Sequence, residues 1–296
     1  MIKKTVIILV LITSASFLHA NTDSLRNKII DYCTNYKATI GVSVVFIEDS
    51  DTLSVNGNKM MPMLSVCKLP IAMCVLNNVD KGLLTLNTPI RITPDDMHEN
   101  TWSPLRDKLT TTNTSISLSE IIQYTIIQSD NNGCDLLLKS IGGVETVQSY
   151  LNEIGLSNIQ VNNTEWEMVQ SPNLIYSNMA TPVDITILLN KLYSNNLFSD
   201  SCFNFLYKIL SDCSTGNNRI RGKLPKGTVV AHKTGTSFTT NKGITPAIND
   251  VGIITLPNEK HVAVAILVSE SSENRETNER IIAEITEIIW KYSVNK

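Results

Sequence analysis

Strand-like runs stand near both ends of this chain, and most of what lies between them carries helical signals. Ile40–Ile47 is rich in β-branched residues, Asp49-Ser50-Asp51 marks a turn, and Thr52–Val55 reads as the hairpin partner. Strand character returns only at Thr228–Ala231, Val251–Leu256 and His261–Val268, before an amphipathic helix over Arg275–Tyr292. Between the two regions, helices are predicted from Ser65 to about Val79 with a stop at Lys81-Gly82, from Ser119-Glu120 to Gln128, and over Asn132–Ser140 and Val144–Ile154. Thr181-Pro182-Val183-Asp184 is a helix start with Thr as N-cap, Pro at N1 and an acid at N3, and a further helix surrounds Cys202–Leu210. A helical block between sequence-distant parts of one antiparallel sheet predicts an α/β frame with an inserted all-α lobe. The expected division is 21–60 with 212–296 for the frame and 61–211 for the lobe. The join between lobes is a usual place for a pocket.

The first twenty residues read as targeting rather than fold. Met1-Ile2-Lys3-Lys4 is a short basic stretch, Thr5–Ile12 is almost wholly apolar, and Leu18-His19-Ala20 puts a small residue before a cut, which is the layout of a secretory signal peptide over 1–20. Cleavage leaves 23 basic against 28 acidic residues, a net charge of −5, with no long single-sign run, so nucleic acid is not an expected partner. The expectation is a soluble monomer, periplasmic or secreted, with no membrane contact after cleavage and a small-molecule substrate.

Export permits disulfides, but Cys33, Cys67, Cys74, Cys134, Cys202 and Cys213 are few for a scaffold held by them, and their spacing assigns no pairing. Cys67 and Cys74 read as apolar packing on one helix face. No C-x-x-C, H-x-H or H-E-x-x-H occurs, so neither a metal nor another cofactor is expected. No G-x-S-x-G elbow surrounds a serine, which argues against a Ser-His-Asp hydrolase, and His232 reads as a pocket-wall residue rather than a base.

Three short motifs remain. Ser65-Val66-Cys67-Lys68 is an S-x-x-K at a helix start, where Lys68 lies one turn from the Ser65 hydroxyl; about one such match is expected by chance at this length. Ser129-Asp130-Asn131 follows a helix end, where such residues are ordinary turn chemistry. Lys233-Thr234-Gly235-Thr236 ends a strand, where Gly235 marks close backbone approach. Each alone is weak. Acyl transfer, however, needs a hydroxyl activated by a base, and Ser65 with Lys68 supplies that pair.

Together, in this order and at these separations, S-x-x-K, S-D-N and K-T-G form the signature of class A β-lactamases and penicillin-binding proteins. The sequence resembles a class A serine β-lactamase over essentially all of its mature length. Trp102-Ser103-Pro104, Asn162-Asn163-Thr164-Glu165 and the run Ser214–Arg221 extend the likeness. The Trp-Ser-Pro-Leu-Arg stretch and Glu165…Met168 look most like the cephalosporin-preferring, extended-spectrum branch. The resemblance implies an antiparallel sheet flanked by N- and C-terminal helices and an omega loop at about 160–181. It implies Ser65 as nucleophile, Lys68 as proton acceptor or shuttle, Ser129 as relay to the lactam nitrogen and Asn131 holding the substrate's side-chain amide. Trp102 and Gly235 belong to the implied substrate site. Lys233, Thr234, Thr236 and Arg219 would bind the substrate carboxylate, and the N–H groups of Ser65 and Thr236 would form the oxyanion hole. A lysine acting as base must be neutral some of the time, and whether Lys233 and the cationic field near it lower the Lys68 pKa is a matter for the structure.

Glu165 matches the position that activates the deacylating water, with Glu167 as the competing assignment; Pro182 lies 17 positions after Glu165, which fits the family's loop length. The family's Asn four residues further on is Val169 here, and its Arg–Asp pair at the loop base is replaced by Asn163 and Asn178. A differently supported, more mobile loop is expected. The alternatives are a D,D-peptidase and a β-lactam sensor that acylates once; neither needs Glu165.

Overall fold

The computed structural model describes residues 22–111, 113–194 and 197–296. The signal-peptide reading of 1–20 lies outside them. In chain order the elements are a helix α1 at 22–33, β1 (Thr39–Phe46), β2 (Asp51–Val55), β3 (Met61–Pro62), α2 (Lys68–Asp80), β4 (Pro89–Ile92), α3 (Pro104–Lys108), β5 (Thr114–Ser117), α4 (Leu118–Ile127), α5 (Asn131–Ile141), α6 (Val144–Glu153), β6 (Ile159–Gln160), α7 (Glu165–Gln170), β7 (Met179–Ala180), α8 (Pro182–Tyr193), α9 (Asp200–Ser211), β8 (Val230–Thr236), β9 (Thr245–Thr255), β10 (His261–Ser271) and α10 (Arg275–Ser293).

The two ends of the chain do meet in one sheet. Its order is β2-β1-β10-β9-β8, antiparallel throughout, with Val44 opposite Val264 and Lys233 opposite Val251. Alternation along β10 explains why both faces are covered. Val262, Val264, Ile266 and Val268 pack with Leu25 and Ile29 of α1 and with Ile281, Ile285 and Ile289 of α10. Ala263, Ala265 and Leu267 point the other way, into a core shared with the helices between β2 and β8. Small alanines on that face let α8 come close, and Ser43 of β1 and Thr186 of α8 hydrogen-bond across the contact at 2.7 Å.

Three expectations shift. The helix expected at Ser65 begins as a 3₁₀ turn over Leu64–Cys67 and becomes α-helical only at Lys68. Strand β9 starts at Thr245, six residues before Val251, because its first half buries Asn249 and Asp250, polar residues that break the apolar pattern. Strand β8 starts at Val230 and runs through all of Lys233–Thr236. The start at Thr181 is as read: its hydroxyl caps the backbone N–H of Asp184 at 3.1 Å. All six cysteines are unpaired, and five of them are buried. Among the described residues no helix is long and apolar enough to cross a membrane.

Candidate active site

The turn carrying Ser65 is forced. Leu64, just before it, has φ +48°, a left-handed conformation that costs a branched residue about 1–3 kcal/mol. Asn249 of β9 holds the turn by donating its amide to the carbonyls of Pro62 and Met63 at 2.8 and 3.1 Å. Strand β8 runs so close that a Cβ on Gly235 would stand 2.3 Å from the Met63 carbonyl oxygen, which explains the glycine there. In a 3₁₀ turn residues three apart eclipse, and Lys68 Nζ accordingly lies 2.8 Å from Ser65 Oγ.

Lys68 is fully buried and has three further oxygen neighbours: the Ser129 carbonyl at 2.9 Å, Asn131 Oδ1 at 2.5 Å and Glu165 Oε1 at 3.0 Å. Burial opposes its charge most strongly, but the Glu165 carboxylate together with the thiols of Cys134 and Cys67 outweighs burial, so its pKa is raised. The group that is lowered is Lys233, also fully buried, brought to about 8 by burial and by the nearby charge of Lys68. Lys233 Nζ donates to Ser129 Oγ at 2.9 Å, so Ser129 stands between the two lysines, its backbone in the left-handed region at φ +59°. The middle residue of that motif, Asp130, is structural. It caps α5 at Gly133 and accepts from Ser103 and Leu105, which ties down the segment bearing Trp102. Trp102 itself is 62% exposed at the rim, its indole N–H on the Gln128 carbonyl. Asn131 donates to Thr101 Oγ1 at 2.7 Å.

On the opposite wall Thr234 Oγ1 meets Thr215 Oγ1 at 2.6 Å. Arg219 departs from expectation. It is 1% exposed, and all three guanidinium nitrogens are engaged: by Glu279, by the carbonyls of Gly235 and Asn249, and by Thr236 Oγ1 at 2.7 Å. The structure therefore places it behind the cleft, reaching the substrate side through the Thr236 hydroxyl. Behind Thr234 lies a group that sequence reasoning missed. Cys213 Sγ is 3.4 Å from Thr215 Oγ1 and packs on His232, whose Nδ1 is 2.8 Å from Asp250 Oδ1. Burial alone would push Cys213 up, but the adjacent His232 brings it down to about 6; burial likewise opposes charge on His232, and Asp250 lifts it to about 9.

Glu165 opens α7 and is buried, and among the described residues no hydrogen-bond donor is aligned on its Oε1. Glu167 is spent on structure: its carboxylate accepts from the Thr164 N–H at 2.8 Å in a capping box. Asp135 of α5, also unforeseen, accepts from the N–H groups of Glu165 and Trp166 at 2.8 and 2.9 Å. Burial and the Glu165 charge raise its pKa to about 7. The loop base is closed without charges. The buried Asn178 amide accepts from the N–H groups of Asn162 and Asn163 at 2.8 and 3.0 Å and donates to the Asn163 carbonyl at 2.9 Å. Val169 projects outward at 38% exposure.

Residues 24–293 match the beta-lactamase enzyme family. The chain is 42% identical to beta-lactamase VEB-1 of Pseudomonas aeruginosa over 292 residues, covering 98% of this chain and 97% of that one. It is 46% identical to the crystal structure of the TLA-3 extended-spectrum beta-lactamase, with a TM-score of 0.91 over 92% of this chain and 99% of that one. It is 35% identical to a class A beta-lactamase from Bacteroides cellulosilyticus, with a TM-score of 0.89 over 93% and 99% of the two chains. The chain belongs to the beta-lactamase enzyme family, and within it to the class A serine enzymes.

Proposed function

We propose that the chain is an exported, monomeric serine β-lactamase that opens β-lactam rings, cephalosporins foremost, and so confers antibiotic resistance. The observation that carries the reading is the contact series Ser65 Oγ–Lys68 Nζ–Glu165 Oε1, at 2.8 and 3.0 Å. Ser65 Oγ attacks the lactam carbonyl carbon. Lys68, protonated beside Glu165, shuttles the serine proton: it takes that proton as it passes one of its own on toward Ser129, and Glu165 stays ionised. The N–H groups of Ser65 and Thr236 stabilise the oxyanion. Ser129, aligned by Lys233, gives its proton to the lactam nitrogen as the C–N bond breaks. Glu165, still ionised, then takes a proton from water as the water oxygen attacks the ester carbonyl carbon, and that proton passes to Ser65 Oγ as the ester C–O bond breaks.

Lys233, Thr234 and Thr236 receive the substrate carboxylate, with Arg219 orienting Thr236; Asn131, Gly235 and Trp102 line the rest of the site. No step calls for a metal or organic cofactor. The cephalosporin preference draws on the likeness to extended-spectrum relatives and on Thr236. The export reading draws on residues 1–20, and the frame of 21–60 with 212–296 around a lobe of 61–211 draws on the two apolar clusters. The test mixes mature protein with excess chromogenic cephalosporin and counts product per enzyme. Many turnovers are expected. A single equivalent with a stable adduct on Ser65 would instead mark a D,D-peptidase-like protein or a sensor.

A further inference from the structure

Glu165 sits on a helix of only six residues, and its carboxylate must meet both Lys68 and an incoming water. Asp135 anchors one side of α7 through two backbone N–H groups. On the other side no hydrogen bond holds the Trp166 side chain among the described residues. Instead the indole of Trp166, the residue after Glu165, lies flat on the imidazole of His98, with ring centroids 3.9 Å apart and planes 7° from parallel.

His98 is itself well fixed. Its carbonyl accepts from Arg106 Nη1 at 2.7 Å and from Asn132 Nδ2 at 3.2 Å. Burial lowers its pKa, against the opposing pull of Asp96 and Asp95, which favours a neutral, stackable ring. The segment that carries His98 also contains Thr101, whose hydroxyl accepts from the Asn131 amide, and Trp102, whose carbonyl accepts the Asn131 N–H at 3.0 Å. One short stretch thus supports the ring under α7 and the residues assigned to the substrate's side chain.

We propose that the His98–Trp166 stack is a positioning device for Glu165, fastening the deacylating arm to the wall that holds the acyl side chain. The proposal rests on the hydrolase reading above. Neither residue touches the reacting atoms. The stack limits how far α7 can tilt away from the ester, and a misplacement of about 1 Å at a reacting group can cost about 100-fold in rate. Loss of one aromatic contact frees only part of that motion, since Asp135 still holds the N-terminus of α7.

The test uses His98→Ala, Trp166→Ala and His98→Phe with a cephalosporin on which the unaltered enzyme already accumulates acyl-enzyme. In a two-step mechanism kcat/KM reports acylation, whereas slow deacylation lowers kcat and KM together. Both alanine variants are expected to lose about 3- to 10-fold in kcat with a matching fall in KM, an unchanged kcat/KM and more acyl-enzyme by quenched-flow mass spectrometry. His98→Phe keeps a ring over Trp166 and should recover most of the loss. Wild-type kcat and KM in the alanine variants would overturn the proposal. So would a fall in kcat/KM shared equally by His98→Phe, which would mark general structural damage. Absence of turnover in the unaltered enzyme would fail the hydrolase reading itself, and it shows before any variant is made.

Discussion

The two sides of the cleft are built in opposite ways. The acylating floor rests on two buried lysines on regular elements, Lys68 on α2 and Lys233 on β8, with Ser129 between them: its carbonyl accepts from Lys68 and its Oγ from Lys233, both at 2.9 Å. The deacylating arm carries Glu165 on a short helix held by a shared carboxylate, a stacked ring pair and, at its base, an uncharged amide clasp. Charge on the floor is enclosed by burial, whereas the arm rests on separate contacts of about 0.5–3 kcal/mol each. A site of this kind should lose acylation all at once and deacylation by degrees.

Substitution on the floor should give the largest effect. Ser65→Ala removes the nucleophile and is expected to cut cephalosporin turnover by at least about 10⁴-fold without changing the melting temperature much, measured by spectrophotometry and thermal unfolding. Retained turnover would mean that another group attacks. At the base of the arm, Asn178→Ala strands the N–H groups of Asn162 and Asn163 and should lower stability by about 1–3 kcal/mol. Hydrogen exchange over 160–180 should then rise well before that of α2; exchange in the variant as slow as in α2 would show that the clasp carries little.

The smallest effect concerns pH. Lys233 loses its charge as pH rises through about 8, so KM for a carboxylate-bearing substrate should climb and kcat/KM should fall on that alkaline limb. The charge of Cys213 favours protonated Lys233. Cys213→Ser removes it, so the limb should move to lower pH. A limb that stays in place or moves up would separate Cys213 from the floor.

The same contrast governs what could be read from the sequence. The floor is written in motifs because its residues are neighbours in sequence: Ser65 with Lys68, and Lys233 with Gly235. The strand-rich ends and the helix start at Thr181 are legible because their signals are local. The supports are not. Asp135 acts on backbone N–H groups thirty residues away, and Asn249 and Asp250 look like breaks in a strand until their partners at the Ser65 turn and on His232 are seen. Arg219 illustrates the limit of analogy. Its position was legible, but its engagement by Glu279 and Thr236 depends on a helix sixty residues further on. The different support of the omega loop was legible in Val169, Asn163 and Asn178, but the form it takes, the clasp made by the Asn178 amide, depends on residues fifteen or more positions apart.

The division of labour between floor and arm is tested most directly by rapid mixing of Glu165→Gln with excess chromogenic cephalosporin, followed by mass spectrometry of the quenched protein. The account predicts a burst of about one equivalent, a persistent adduct on Ser65 and steady turnover reduced by about 10²- to 10⁴-fold. Turnover at the wild-type rate with no accumulated adduct would contradict it, because Glu165 would then not be the group that frees the enzyme.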